Sequence, residues 1–214
     1  LSYKPWLDNA TWFFIFFACL TLLGCASPET TRVNQSEKTI NNSVKFMIST
    51  ANPLAAEAGR SILKAGGTAI DAAIAIQMVL NLVEPQSSGI GGGGFLLHYN
   101  ASTQSIDSYD GRETAPLKAD PSMFLDNKGK PKKFFDAAIG GASVGVPGLL
   151  RMLNKAHKDH GKLPWSKLFK PAIKLAQDGF LISERLGKLI AKDKYLRLFP
   201  ETKAYFFNEN RLPK

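Results

Sequence analysis

The residues of this sequence whose type and spacing could do chemistry are one arginine, a glycine run and a few carboxylates and histidines. Arg112 lies in Tyr109-Asp110-Gly111-Arg112-Glu113-Thr114-Ala115-Pro116, directly after a segment that alternates like a strand. A guanidinium fork at a strand end suits bidentate capture of a carboxylate, with Asp110 and Glu113 placed to orient or neutralise it. A surface arginine in a structural ion pair is the competing reading, and these residues by themselves favour it. Asp107, Asp110 and Glu113 could supply paired carboxylates, but the sequence does not fix their separation.

Gly89-x-Gly91-x-x-Gly94 formally matches a dinucleotide-binding fingerprint. That fingerprint needs a strand before it and a helix after it, and here the expected order is reversed. No Gly-Lys-Ser/Thr is present to make a phosphate loop. The run instead implies unusual backbone angles or close main-chain approach, as at a tight connection between layers. Of the histidines, His98, His157 and His160, the last two sit three apart and could share a helix face. Their helix is Lys-rich and lacks a carboxylate ligand pair, so no metal is expected. No cofactor is expected either.

Positioning these residues requires helices around a small sheet. Val44 to Ile48 alternates as a short strand. Asn52-Pro53 caps and opens a helix that Gly66-Gly67 ends. Thr68-x-x-Asp71 makes a capping box for a second helix, Ala69 to Val83, apolar on nearly every side and therefore buried between layers. Phe95–Tyr99 and Ser105–Tyr109 read as two strands joined by a hairpin loop at 100–104. Gly111 to Gly145 is loop-rich. Helical patterns follow from Leu149 to Gly161, from Trp165 to Ala176 with a kink or break at Pro171, and after a Ser183 cap. The order is that of an α+β fold.

The chain has 214 residues, 44% hydrophobic and 21% charged, which suits a globular domain and excludes wholesale disorder. Its net charge of +9 is uneven: residues 1–116 carry 7 Lys and Arg against 9 Asp and Glu, and residues 117–214 carry 20 against 9. The basic residues are interleaved with acids along helices, and no nucleic-acid motif accompanies them, so no nucleic-acid partner is expected.

Thr11 to Leu23 is uncharged and has the length of a signal-peptide core rather than a membrane span. Leu22-Leu23-Gly24-Cys25 resembles a bacterial lipobox, which implies cleavage before Cys25 and its attachment to lipid; an ordinary secretory signal is the alternative. Residues 1–25 are thus read as a signal peptide with lipobox, 26–43 as a flexible linker of few apolar residues, and 44–214 as the folding part. The expected location is periplasmic, anchored by lipid to a bacterial membrane.

Asp110 to Pro116 (DGRETAP) resembles the arginine motif of the γ-glutamyltransferase (γ-glutamyltranspeptidase, glutathione hydrolase) family. Ala55–Asp71, Pro85–Phe95, Ser143–Gly148 and Lys170–Gly179 agree with that family in order and spacing. The resemblance implies an N-terminal-nucleophile hydrolase fold, a four-layer αββα sandwich, of which this chain would hold the N-terminal, large-subunit part only. It implies a precursor that cleaves itself, freeing an N-terminal threonine on a small subunit as nucleophile. Thr50, Thr68 and Thr114 fall in large-subunit blocks and are not candidates for it. By match to the motif, Arg112 would hold the α-carboxylate of the γ-glutamyl group of glutathione or a similar donor, with Glu113 shaping the pocket. The chain alone is then expected to be inactive. A non-catalytic exported scaffold lipoprotein and an acylase for cephalosporin-type side chains are the other readings.

Overall fold

The computed structural model describes residues 45–209. The expectations for the apolar segment, Cys25 and the linker lie outside the described residues. The described part is α+β: seven helices, two short 3-10 turns and one antiparallel hairpin. Among the described residues no helix is long and apolar enough to cross a membrane.

Helix α1 (Pro53–Lys64) starts where Asn52 accepts a hydrogen bond from Leu54 N at 3.0 Å, with Pro53 at the first helical position. It stops in a Schellman turn. Gly66, at φ +84°, donates to Leu63 O, and Gly67 donates to Ile62 O. Helix α2 (Ala69–Val83) follows at once. Its start is a capping box in which Thr68 and Asp71 satisfy each other's backbone N–H groups at 2.9 and 3.2 Å.

The apolar character of α2 has the expected consequence, because Ile74, Val79 and Val83 are almost wholly buried. Each such side chain stabilises the fold by about 1.5–3 kcal/mol. One side of α2 meets the small residues Ala55, Ala58 and Gly59 of α1; a Cβ on Gly59 would lie 2.6 Å from Ile76 Cδ1. The other side packs with α4 (Leu149–His160) and α5 (Trp165–Asp178) through Met152, Leu153, Ala156 and Leu168.

Strands β1 (Phe95–Asn100) and β2 (Ser105–Asp110) form the expected hairpin, each one residue longer than read from the sequence, with His98 opposite Asp107 and Phe95 opposite Asp110. Leu96 and Tyr109 face the core beside α4, whereas Phe95, Leu97, Tyr99 and Ile106 are well exposed on the hairpin's other face. The loop-rich stretch after β2 holds only α3 (Phe134–Ala138) and the 3-10 turns at 121–124 and 141–143. Helix α6 (Glu184–Lys192) begins where Ser183 accepts from Leu186 N at 3.1 Å, and α7 (Pro200–Phe206) completes the set.

Two expectations need correction. Lys45–Ile48 form no strand; the alternation of burial is real, but a strand also needs a ladder partner, and Ile48 packs on helix residues instead. Helix α5 runs unbroken through Pro171. Its apolar stripe against α2 holds it together across the missing N–H.

Two buried carboxylates tie distant segments. Asp71 accepts, beyond its cap bond, from Lys162 N at 3.0 Å and Leu163 N at 3.1 Å. Glu84 accepts from Asn52 Nδ2, Gln86 Nε2 and Arg185 Nη1, and these bonds, that of Asn52 foremost, hold its carboxyl below the usual range.

Candidate functional site

Arg112 sits where β2 runs out. Its own backbone N donates to Asp110 Oδ1 at 2.8 Å, so Asp110 fixes the turn rather than the guanidinium. The hairpin ladder continues one step past the strands, with Gly111 N donating to Gly94 O at 2.9 Å. Two residues on, Thr114 pairs with Val146 through bonds of 3.2 and 2.8 Å. The arginine segment is thereby strung between the end of the glycine run and the Ser143–Gly148 block.

Three glycines let these segments touch, Gly93 and Gly148 main chain to main chain and Gly111 against the side chain of Met152. A Cβ on Gly93 would lie 2.7 Å from Glu113 N and 2.8 Å from Gly111 O. One on Gly111 would lie 2.6 Å from Met152 Cβ, and one on Gly148 would lie 2.7 Å from the Gly111 carbonyl carbon and 2.8 Å from Arg112 O. Gly148 N and Leu149 N also reach Gly92 O, at 3.2 and 3.3 Å. No glycine of the run has a positive φ, and close approach holds at its end, at Gly93 and Gly94, while Gly89 and Gly91 have open space around them.

Gly148 has φ −105° and ψ −20°, angles that alanine adopts freely. Gly148→Ala is therefore a purely steric test, expected to cost about 1–3 kcal/mol because the neighbours are backbone. Gly91→Ala, with open space around it, should change the stability by less than about 0.5 kcal/mol. Equal thermal midpoints for the two variants would refute the close-contact reading.

The resulting floor opens into a cavity of about 500 Å³ between β2 and α4. Arg112, Arg151 and Lys155 all line it, so three cations share one concavity. Lys155 is paired with Asp159 at 2.5 and 2.8 Å, and Asp159 also accepts from Tyr109 Oη at 2.9 Å. The hydrogen bond from Lys155 holds the Asp159 carboxyl low; burial, with Asp159 beside it, pushes the Tyr109 phenol up to about 12. Arg151 is exposed and has no ion pair among the described residues.

Arg112 is two-thirds exposed. Its partner is Glu113, Nε to Oε1 at 3.4 Å, too long for a good hydrogen bond, so the fork remains available to a ligand carboxylate. Glu113 is held more by packing than by charge, between Gly93 and the Cβ direction of Gly145. The structure sets Arg112 and its sequence neighbour Glu113 side by side, and adds Arg151 to the cavity wall, a residue the sequence analysis did not single out. The signal for it was available: Arg151 is one helical turn from Lys155 on the face of α4 that follows Gly148.

The histidines fall differently from their spacing. His157 turns to Leu163 O at 2.8 Å and stands 3.5 Å from Asp71. His160 stacks on His98, ring centroids 4.0 Å apart, with Asp107 beside both.

The family profile described as gamma-glutamyltranspeptidase matches residues 55–214. The chain is 45% identical over 161 residues to the glutathione hydrolase proenzyme of Bacillus subtilis, covering 70% of this chain and 27% of that protein. It spans about a quarter of the length of that relative. Among solved structures, Helicobacter pylori gamma-glutamyltranspeptidase superposes with a TM-score of 0.73 at 37% identity, covering 78% of this chain and 48% of the other. A cephalosporin acylase from Bacillus halodurans gives 0.60 at 28% identity, covering 78% and 34%. The described helices and hairpin are accordingly part of an N-terminal-nucleophile hydrolase fold.

Proposed function

The chain belongs to the gamma-glutamyltranspeptidase family, and from that premise we propose that it supplies the carboxylate-binding part of a γ-glutamyl acyl-transfer site. The observation that carries the reading is Arg112, held at a cation-lined cavity by main-chain contacts on both sides while its fork stays uncommitted. A planar guanidinium offers two parallel N–H donors to the α-carboxylate of a γ-glutamyl group. That grip sets the position of the γ-carbonyl further along the same substrate. Arg151 adds positive potential, and Glu113 keeps the pocket's lip in shape.

On this reading the nucleophile is a threonine at the start of a small subunit cut from the same precursor, outside these 214 residues. Its Oγ bonds to the γ-carbonyl carbon of glutathione or a related donor, and its own α-amino group takes the hydroxyl proton. The C–N bond then breaks and the amine leaves with a proton. Water, or the amine of an amino acid or peptide, takes the acyl group in a second displacement. Cys25, after Leu22-Leu23-Gly24, supports export and lipid anchoring of the whole protein in the periplasm.

The test uses the full precursor with two chromogenic anilides, γ-glutamyl and 4-aminobutyryl, which differ by the α-carboxylate alone. The γ-glutamyl compound should be turned over with a kcat/KM at least about 100-fold higher, the worth of a charge-assisted bidentate contact. The 214-residue chain by itself should release no amine from either. Equal turnover of the two anilides would favour the second reading, an acylase like the one from Bacillus halodurans.

A further inference from the structure

We propose that His98, Asp107 and His160 form a binding site for one divalent first-row transition ion, Zn²⁺ or a close analogue, distinct from the Arg112 pocket. The three residues come from three elements: β1, β2 and the last position of α4. His98 and Asp107 are cross-strand partners, so their side chains leave the same face of the hairpin. His160 is carried onto that face by the end of α4, where Tyr109 also meets its ring edge-on.

The ligand chemistry fits. One nitrogen from each imidazole and one carboxylate oxygen lie within 4.8 Å of one another. Asp107 Oδ2 is 3.7 Å from His98 Nδ1 and 3.1 Å from His160 Nε2. In a tetrahedral site with bonds of 2.0–2.2 Å, ligand atoms stand about 3.4 Å apart. Closing the triangle takes atomic shifts of about an ångström and a turn of the two imidazoles out of their 25° stack, so that both ring planes point at one ion; side-chain rotation and a carboxylate that is nearly half exposed allow it. Two imidazoles and one carboxylate favour Zn²⁺, Co²⁺ or Ni²⁺ over Ca²⁺ or Mg²⁺, which prefer all-oxygen sets. The exposed side of Asp107 leaves room for water as a fourth ligand.

A second observation points the same way. His98 Nδ1 and His160 Nε2 are shut off from solvent and make no hydrogen bond. Buried polar nitrogens are nearly always satisfied, and here two unsatisfied ones face one carboxylate that meets neither at hydrogen-bond geometry. An ion placed among the three satisfies all of them at once. His157, the spacing partner of His160, is engaged with Leu163 O and takes no part.

The ion's effect would be structural. It clamps the end of α4 to the hairpin, about 16 Å along β2 from Arg112, so it touches no reacting atom. It fixes the far end of the helix whose first turn rests on the Arg112 segment.

The experiment titrates the chelator-treated full chain with Zn²⁺ against a chromophoric chelator and records the absorption spectrum of the Co²⁺ form. The expected result is one ion per chain, with imidazole-type tetrahedral Co²⁺ bands. Zn²⁺ at about 100 times Kd should raise the thermal midpoint by roughly 5–10 °C. His160→Ala and Asp107→Ala should each weaken binding at least about 10-fold and abolish the midpoint shift. Asp107 is exposed enough that its alanine variant keeps the fold, checked by circular dichroism. Sub-stoichiometric binding, or an affinity unchanged in Asp107→Ala, would overturn the site and leave a stacked histidine pair beside a carboxylate.

Discussion

Asp71→Ala is expected to lower the stability of the chain by about 3–5 kcal/mol. Asp71 is fully buried and accepts backbone N–H groups from Thr68, Lys162 and Leu163, the last two 91 and 92 residues away. Truncation leaves those three donors in a dry site, and each orphaned buried donor costs about 1–3 kcal/mol. Against a total of about 5–15 kcal/mol for a domain, that approaches global unfolding. Asp71→Asn retains one acceptor oxygen and the shape, and loses only the charge-assisted part, so it should cost clearly less. Urea unfolding of the full chain measures both. A midpoint for Asp71→Ala that implies a loss under about 1 kcal/mol would show that water replaces the carboxylate, contrary to its burial.

The largest functional effect is expected from Arg112→Lys in the full precursor. Lysine keeps the charge but presents a point ammonium in place of the planar fork. A substrate α-carboxylate should lose one of two parallel hydrogen bonds, about 1.5–3 kcal/mol, and KM for a γ-glutamyl anilide should rise roughly 10–100-fold. The value of kcat should change much less, since the arginine grips the substrate away from the bond that breaks. Glu113→Gln, which keeps the packing between Gly93 and Gly145, should shift KM by less than about 10-fold. An unchanged KM in Arg112→Lys would remove Arg112 from the binding site.

Local grammar made most of the elements readable. The start of α2 followed from Thr68 and Asp71, and the hairpin from its alternation and a short polar loop that the structure trims by one residue, because caps and turns act within a few residues. The long-range partners were not readable. Nothing near Asp71 announces that its carboxylate also receives residues 162 and 163, and nothing near His98 announces His160. The segment before α1 misled because alternation records which side chains face inward, whereas a strand is defined by a neighbour elsewhere in the chain. At the candidate site the sequence supplied the residue types, and the resemblance supplied the use proposed for them. What the sequence withheld was the reason for the glycines, which lies in backbone atoms that belong to other motifs.

That last feature bears on how such a site can diversify. A pocket floor made from Gly111 and Gly148, with Gly93 packed against Gly111, has no side chain to exchange; a Cβ added at Gly93 or Gly148 strikes another backbone, and one at Gly111 strikes the side chain of Met152. Substitution at the floor therefore meets a steric cost from the first carbon added, about 1–3 kcal/mol already for Gly148→Ala. The freedom to vary lies in the walls, at Thr114, Val146 and above all Arg151, whose exposed side chains can be replaced without disturbing how Arg112 is seated. Descendants of this sequence should drift at the rim while the backbone seat of Arg112 stays as it is.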